Sequence, residues 1–318
     1  MNVLLAAYEG EAYFDLLNNL GIPGLTFIHT HDPEEIDREI VDVEVIYGFP
    51  KAESLAKAEK LKWIQSPGAG VDWALRIPKV ADGDVILTNT RGAHGPSIAE
   101  HVFALLFAFT RKMPRSLDWQ REHYWGRDIG YRTLDEIKDA TMGIVGFGAI
   151  GRAIAKRAVA FEMQVLAVDA FPSDGAPWVD EVWPAERLPD LLQRSDVVVI
   201  AAPYTAETRH LIDEPAIAMM RQGAYLIAIS RGGIIEESAL VAALQSGHLA
   251  GAGLDVAEQE PLPLDSPLWD TPNLLLTPHV AGASGPKERR CVEIFRDNLL
   301  RYVNGEPLVN VVNKQLGY

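Results

Sequence analysis

The chain has 318 residues, of which 48% are hydrophobic and 23% are charged. These values are typical of soluble globular proteins, so they exclude wholesale disorder, and the length predicts about two domains. The formal net charge of −15 opposes binding to nucleic acid and to anionic membrane surfaces. No apolar run approaches the about 20 residues that span a bilayer. The single cysteine, Cys291, excludes an internal disulfide and fits a cytoplasmic location.

The first part of the chain alternates short apolar runs with segments of helical periodicity. The runs predict strands at 3–7, 25–28, 43–47, 63–65 and 85–87, and the periodic segments predict helices at 12–20 and 52–58. Strands that alternate with helices need crossover connections. The pattern therefore predicts a parallel sheet with helices on both faces.

A helix predicted at 97–111 and a polar stretch at 119–133 lead to a second α/β series that begins at Met142. Its strands are predicted at 142–145, 164–169, 197–201, 225–229, 251–256 and 274–277. Near-continuous valine, isoleucine and leucine runs are typical of strands covered on both faces, which makes this series the predicted core domain. A last helix at 287–303 could return to the first part of the chain, and spacing alone leaves this open.

A glycine-rich turn follows the first strand of the second series. Gly146, Gly148 and Gly151 form a GxGxxG pattern between that strand and a helix predicted at 152–161. The first glycine permits a tight turn, the second lets a pyrophosphate approach the backbone, and the third allows close packing of the helix. This context predicts a dinucleotide-binding site.

Asp169 ends the next strand, where a carboxylate accepts hydrogen bonds from the hydroxyl groups of the adenosine ribose. The next two residues, Ala170 and Phe171, offer no cation to a 2′-phosphate. We therefore expect NAD(H) to be preferred over NADP(H).

Two of the eight histidines, His29 and His31, form an HxH pair that could bind a metal in a barrel hydrolase. Asp32 and Pro33 directly after the pair are typical of a helix start, and the sequence shows no third ligand. We therefore predict no metal site. Five other histidines have no partner identifiable from spacing and are interpreted as structural or exposed: His94, His101, His123, His210 and His248.

Three polar residues of complementary chemistry follow the last strands of the second series. Arg231, Glu260 and His279 each lie just beyond a predicted strand. In open α/β sheets, ligands bind outside the carboxyl ends of the strands. An arginine, a carboxylate and an imidazole at this edge, beside a dinucleotide site, predict a catalytic group.

The sequence resembles the D-isomer-specific 2-hydroxyacid dehydrogenases over nearly its whole length. The matching segments, in family order and spacing, are SPGAGVD at 66–72, AE at 99–100, GFGAIG at 146–151, SRGG at 230–233, LDVAEQEP at 254–261 and TPHVAG at 277–282. The chain departs from the family at Ala228, where asparagine is frequent. That change affects a local backbone or cofactor hydrogen bond and not the chemistry.

The resemblance implies an α/β fold with two Rossmann-like or flavodoxin-like parallel-sheet domains and an active-site cleft between them. Residues 1–95 and 284–318 would form a discontinuous substrate domain, and residues 96–283 the NAD-binding domain. It also implies a homodimer, with the linking helix and the segment after it at the interface. The aromatic residues Trp119, Tyr124 and Trp125 fit burial against a second subunit.

The resemblance assigns catalysis to Arg231, Glu260 and His279 in an NAD-dependent dehydrogenase of 2-hydroxy acids. Reduction of a 2-oxo acid needs a general acid, which His279 paired with Glu260 supplies, while Arg231 binds the substrate carboxylate in a bidentate manner. The implied cofactor contacts are Gly146, Gly148, Ala149, Ile150, Gly151, Asp169, Ala202, Pro203, Ile229, Ser230, Arg231, Asp255, His279 and Gly282. The implied substrate contacts are Gly68, Ala69, Gly70, Arg231 and His279.

The substrate side chain stays open at this stage. The residues expected to select it lie near 47–50, 91–97 and 119–131, and Arg91 or Arg132 would suit an acidic tail. Two other functions are weighed against the dehydrogenase. One is an NAD-sensing binding protein of the corepressor type without significant turnover, and the other is an HxH metallohydrolase.

Overall fold

The computed structural model describes residues 1–18, 20–126, 134–172, 174–315 and 317. The chain divides into two compact units: unit 1 comprises residues 1–94 and 283–318, and unit 2 comprises residues 95–282. Unit 2 is thus inserted into the chain of unit 1. Both junctions lie one residue before the positions expected from the sequence. Within the described ranges, no helix has both the length and the apolarity needed to cross a membrane.

Unit 1 contains a parallel sheet of the flavodoxin-like type. Its strands are β1 (Asn2–Ala6), β2 (Thr26–His29), β3 (Val45–Gly48), β4 (Trp63–Gln65) and β5 (Ile86–Thr88), in the order β2-β1-β3-β4-β5. The helices α1 (Pro33–Glu39), α2 (Ala52–Lys57), α3 (Asp72–Leu75) and α4 (Pro78–Ala81) lie between strands along the chain. The predicted parallel sheet is confirmed.

Both faces of this sheet are covered because neighbouring side chains on a strand point to opposite faces. Leu4 belongs to the cluster that contains Leu55 of α2, whereas Val3 and Leu5 pack with the last helix of the chain, α11 (Gly285–Asn304). That helix contributes Val292, Phe295 and Leu299, each fully buried. The segment at the end of the sequence therefore completes the core of the unit that begins it.

The helix predicted at 12–20 is instead a 3₁₀ helix over Glu11–Leu17. It starts after Gly10, whose backbone is left-handed with φ of 88°. A Cβ on Gly10 would lie 2.5 Å from Cγ2 of Val292, so a side chain does not fit there. Among the described residues no side chain caps this helix. In a short segment without a cap, 3₁₀ hydrogen bonds can satisfy backbone groups that an α-helix of the same length would leave without a partner.

Unit 2 contains a doubly wound sheet with strand order β13-β12-β11-β10-β6-β7-β9-β8. The strands are β6 (Thr141–Val145), β7 (Gln164–Asp169), β8 (Asp174–Ala176), β9 (Val179–Pro184), β10 (Val197–Ile200), β11 (Ala224–Ala228), β12 (Leu249–Leu254) and β13 (Leu274–Leu276). Strand pairs are parallel except for the β8–β9 hairpin. The order reverses between β6 and β10, which is where such sheets bind ligands.

The helices of unit 2 cover the two faces of its sheet, as the continuous apolar runs predicted. Val197 and Val199 pack in the cluster that contains residues of α5 (Gly95–Thr110) and α7 (Ala149–Ala160). Val198 and Ile200 belong to the cluster on the opposite face. Further helices are α6 (Met113–Arg121), α8 (Leu188–Arg194), α9 (Glu214–Met219) and α10 (Glu237–Gln245).

Candidate active site

The glycine-rich turn joins β6 to α7 and has the geometry of a phosphate-binding loop. Gly146 has φ of 94°, and a Cβ there would lie 2.4 Å from the backbone nitrogen of Ala202. A Cβ on Gly151 would lie 2.3 Å from the carbonyl oxygen of Gly146. A Cβ on Gly148 would meet no atom within 4 Å. Two glycines are therefore required by the fold, whereas the second leaves open space above the backbone.

Two unsatisfied polar features fit a bound dinucleotide at this turn. The helix α7 has Gly148 as its N-cap, and among the described residues no side chain caps its first N–H groups. Such a helix start attracts anions through its N–H groups and its dipole. The hydroxyl oxygen of Ser230, just beyond β11, is buried with no hydrogen-bond partner in the described part of the chain. A buried orphan hydroxyl is costly unless a ligand or water contacts it.

Asp169, at the end of β7, is held by two backbone N–H groups. Phe147 in the glycine-rich turn donates to Oδ2 at 2.6 Å, and Phe171 donates to Oδ1 at 2.9 Å. Each carboxylate oxygen retains a further acceptor site for a ribose hydroxyl. The guanidinium of Arg152 lies 4.8 Å from the centre of the Phe147 ring. Arg152 thus places a cation at this turn, whereas the two residues after Asp169 offer none.

Arg231 lies in a turn that packs against the loop carrying Glu260. A Cβ on Gly232 would lie only 1.8 Å from the carbonyl oxygen of Ala257. The backbones of the two loops are therefore in direct contact, which only glycine permits at position 232. Nη1 of Arg231 donates a hydrogen bond to the carbonyl oxygen of Ser230 at 2.7 Å.

His279 and Glu260 form a hydrogen-bonded pair. Nδ1 of His279 lies 2.7 Å from Oε2 of Glu260, and the other carboxylate oxygen accepts the N–H of Ala257 at 3.1 Å. Both side chains remain partly exposed. Because a carboxylate accepts at Nδ1, we assign the proton there, and Nε2 is the atom that can face a substrate.

Asp255 holds the turn on which His279 lies. Its carboxylate is 1% exposed and accepts the backbone N–H of Val280 at 2.9 Å and that of Ala281 at 2.8 Å. The carbonyl oxygen of Asp255 accepts the N–H of His279, whose φ is 54°. Asp255 thus stabilises a left-handed residue in a tight turn, and its predicted contact with the cofactor stays a prediction.

A second histidine, one of the five interpreted from the sequence as structural or exposed, supports the same turn. Nε2 of His101, on α5, lies 2.9 Å from the hydroxyl of Thr277, which donates to Asp255 at 2.5 Å. No spacing rule links residues so distant along the chain, so the sequence carried no signal for this contact.

The remaining predicted cofactor residues lie at the carboxyl edge of the same sheet. Ala202 is buried after β10, and the carbonyl oxygen of Pro203 accepts the hydroxyl of Thr208. Ile229 is buried after β11, and the carbonyl oxygen of Gly282 accepts the hydroxyl of Ser97 at 3.2 Å. The predicted contacts with a cofactor share one edge of unit 2.

The predicted substrate residues Gly68, Ala69 and Gly70 form a turn in unit 1. The N–H of Gly68 donates to the hydroxyl of Ser66 at 3.3 Å, and the carbonyl oxygen of Ala69 accepts the side-chain amide of Asn89 at 2.8 Å. These bonds fix the shape of the turn. Binding of a substrate carboxylate to its amides stays a prediction.

The residues expected to select the substrate side chain lie in different environments. Tyr47 is fully buried and its ring lies 4.9 Å from that of Phe295, so it belongs to the core and not to a pocket. Arg91 is exposed. Tyr131 and Arg132 lie outside the described residues.

The chain is similar to proteins of one family. A family model described as D-isomer specific 2-hydroxyacid dehydrogenase, NAD binding domain, matches residues 103–281. The (S)-sulfolactate dehydrogenase of Chromohalobacter salexigens is 39% identical over 256 residues, covering 78% of this chain and 80% of that protein.

Two solved structures share the whole fold. A D-isomer specific 2-hydroxyacid dehydrogenase family protein from Aeromonas salmonicida subsp. salmonicida has a TM-score of 0.88 and 35% identity, covering 98% of this chain and 99% of its own. A D-isomer specific 2-hydroxyacid dehydrogenase from Xanthobacter autotrophicus, in complex with NADPH and MES, has a TM-score of 0.84 and 29% identity, covering 100% and 99%.

Proposed function

The chain belongs to the D-isomer specific 2-hydroxyacid dehydrogenase family, and we propose that it is a 2-oxo acid reductase that uses NADH and His279 as its general acid. As a member it is an NAD(P)-dependent oxidoreductase of 2-hydroxy acids. The observation that carries the finer proposal is the 2.7 Å pair of His279 and Glu260 at the carboxyl edge of the sheet in unit 2.

The proton is delivered by His279. When bound, the dihydronicotinamide supplies the hydride that the carbonyl carbon of the substrate needs. The imidazolium of His279 donates its Nε2 proton to the carbonyl oxygen. The neutral ring then retains the proton on Nδ1, which donates a hydrogen bond to Glu260. Glu260 therefore stabilises the charged form of the acid before transfer and fixes the ring afterwards.

Arg231 binds the carboxylate of the substrate. Its planar guanidinium presents two parallel N–H groups to two oxygens, which orients the neighbouring carbonyl and polarises it. The backbone contact of Gly232 with Ala257 supports this role, because it keeps the arginine turn beside the loop of Glu260.

The dinucleotide is held by the turn between β6 and α7. The N–H groups of Ala149 and Ile150, at the uncapped start of α7, suit the pyrophosphate, and Asp169 suits the adenosine ribose. The orphan hydroxyl of Ser230 gains a partner from the bound cofactor. The assignments to α7 and Ser230 rest on unmet polar requirements of the folded chain, and the assignment to Asp169 rests on the remaining acceptor sites of its carboxylate.

The test of this function is NADH oxidation by the purified protein on a panel of 2-oxo acids: glyoxylate, hydroxypyruvate, pyruvate, phenylpyruvate and phosphohydroxypyruvate. We expect turnover on at least one of them and its near loss in His279→Ala. Tight NADH binding without turnover on any member of the panel would instead favour an NAD-sensing binding protein.

The cofactor preference is tested by kcat/KM with NADH and with NADPH. The carboxylate of Asp169 repels a 2′-phosphate, so we expect NADH to be favoured by at least about tenfold, or about 1.4 kcal/mol. In Arg152→Ala, kcat/KM with NADH should stay unchanged, and a fall with NADPH alone would show that Arg152 contacts the 2′-phosphate. A preference of the unmodified protein for NADPH would overturn the role of Asp169.

A further inference from the structure

We propose that Glu11, His29 and His31 form a binding site for a divalent transition-metal ion in unit 1. His29 is the last residue of β2, His31 follows two residues later, and Glu11 is the first residue of the 3₁₀ helix Glu11–Leu17. One ligand atom from each side chain lies within 4.8 Å of the other two. The sequence shows no third ligand beside the histidine pair, and the fold brings Glu11 to it.

The distances between the ligand atoms match a face of a tetrahedral metal site. The two Nε2 atoms of His29 and His31 lie 3.3 Å apart. Nε2 of His31 lies 3.2 Å from Oε2 of Glu11, and Nε2 of His29 lies 3.6 Å from Oε1. Metal–nitrogen bonds of about 2.0–2.1 Å in tetrahedral geometry separate two ligand atoms by about 3.3–3.4 Å. An ion therefore fits with shifts of a few tenths of an ångström.

The electrostatics of the cluster also favour a cation. Each neutral imidazole carries one proton and one lone pair, so two facing Nε2 atoms share at most one hydrogen bond between them. The carboxylate of Glu11 faces the same point with further lone pairs. A divalent ion at this point is attracted by all three groups at once.

Both imidazoles are held in place by aromatic neighbours. The ring of Tyr8 stacks on that of His31 with 3.7 Å between centroids and 17° between planes. The ring of Phe14 meets that of His29 edge-on at 5.1 Å. Rings that are already oriented lose little freedom when an ion binds, which is how supporting residues raise the affinity of metal sites.

The chain after His31 is anchored as well. Oδ1 of Asp32 accepts the N–H of Glu34 at 2.8 Å at the start of α1, and the hydroxyl of Thr30 donates to Glu35 at 2.5 Å. The capping residues that favoured a plain helix start in the sequence analysis therefore also fix the backbone on either side of His31. The two interpretations are compatible.

The ligand set indicates the class of ion. Two imidazole nitrogens and one carboxylate suit Zn²⁺, Co²⁺, Ni²⁺ or Cu²⁺, whereas Mg²⁺ and Ca²⁺ prefer oxygen ligands. The side chains of Glu11, His29 and His31 are 47%, 38% and 19% exposed, so solvent can supply a fourth ligand. A bound ion would join the uncapped 3₁₀ helix to β2, the edge strand of its sheet, and would stabilise unit 1.

The experiment is calorimetric titration of the chelator-treated full-length protein with ZnSO₄, with MgCl₂ as the comparison salt. We expect one equivalent of Zn²⁺ to bind and Mg²⁺ not to bind at the same concentration. His31→Gln and Glu11→Gln should each weaken the Zn²⁺ affinity by at least about tenfold, since loss of even a group that supports a metal ligand costs about 10- to 100-fold. Thermal melts of both variants without metal check that they are folded.

Two matched controls separate this site from other histidine–carboxylate pairs. His210 contacts Glu258 at 2.8 Å with a single imidazole, and His279 contacts Glu260 in the same way. His210→Gln and His279→Gln should therefore keep the tight Zn²⁺ equivalent. Titration with Co²⁺ provides a second readout, since its visible absorption should change in His31→Gln and not in His210→Gln.

The result that overturns the proposal is equally definite. The proposed metal site is excluded if the unmodified protein binds no Zn²⁺ or if Mg²⁺ binds equally well. It is also excluded if Glu11→Gln and His31→Gln bind Zn²⁺ as tightly as the unmodified protein does. None of these outcomes depends on the reductase activity, so the metal site and the proposed function fail or survive separately.

Discussion

Among single side chains, His279 has the most specific geometry, since its Nδ1 is engaged by Glu260 and its turn is held by Asp255. We expect His279→Ala to lower kcat by about 10²- to 10⁴-fold, because the general acid is lost. The Kd for NADH, measured by protein fluorescence, should stay near that of the unmodified protein. Unchanged turnover would remove His279 from the mechanism.

Arg231 is tested by a substitution that keeps the charge. In Arg231→Lys the planar two-pronged donor is lost, and a charged hydrogen bond is worth about 1.5–3 kcal/mol, or about 10- to 150-fold in KM for the 2-oxo acid. Steady-state kinetics at saturating NADH measure this change. A KM within twofold of the original would contradict the carboxylate contact.

At the level of elements, the turn between β6 and α7 contains a glycine, Gly148, that the fold does not require but the bound dinucleotide does. Gly148→Ala adds a methyl group to open space, so we expect the free energy of unfolding to change by less than about 1 kcal/mol. The affinity for NADH should fall, because the methyl group occupies the space needed by the pyrophosphate. Unchanged NADH affinity would place the phosphates elsewhere.

The matched change at Gly232 should have the opposite signature. A Cβ there would lie 1.8 Å from the carbonyl oxygen of Ala257, so Gly232→Ala must displace one of the two loops. We expect a loss of stability of about 1–3 kcal/mol or more, visible in thermal melts, together with lost turnover. If Gly232→Ala melts like the unmodified protein and keeps its kcat, the two loops are not held together by this contact.

The elements were largely predictable, whereas the contacts at their ends were not. The continuous run Val197–Ile200 indicated a strand buried on both faces because the hydrophobic requirement of such a strand is local. The β8–β9 hairpin was missed, since Asp174 and Gly175 in β8 have low strand propensity. The contacts of His101 with Thr277 and of Glu11 with His31 join distant parts of the chain, and only the topology brings them together.

At the level of the whole molecule, the expected state is a homodimer. Trp119, at the end of α6, is buried, whereas Tyr124 is 45% and Trp125 93% exposed. An exposed tryptophan in the segment that follows α6 fits burial against a second subunit. With a chain mass of 34.9 kDa, light scattering should give a mass about twice as large. A monomeric unmodified protein would refute the expectation.

Trp125→Ser should weaken the dimer. Leu264→Ser, at another fully exposed apolar side chain, should leave the dimer unchanged.

The position of α11 constrains the order in which this protein can fold as it is synthesised. Its residues Val292 and Phe295 cover the sheet face that carries Val3 and Leu5, so unit 1 joins the two ends of the chain. The strands of unit 1 end at Thr88, whereas α11 begins only at Gly285, after the whole of unit 2 has been synthesised. The apolar face of the earlier sheet therefore waits without its cover while the inserted unit is synthesised. During that interval the nascent N-terminal segment exposes the apolar surface around Val3 and Leu5, which favours aggregation and chaperone binding.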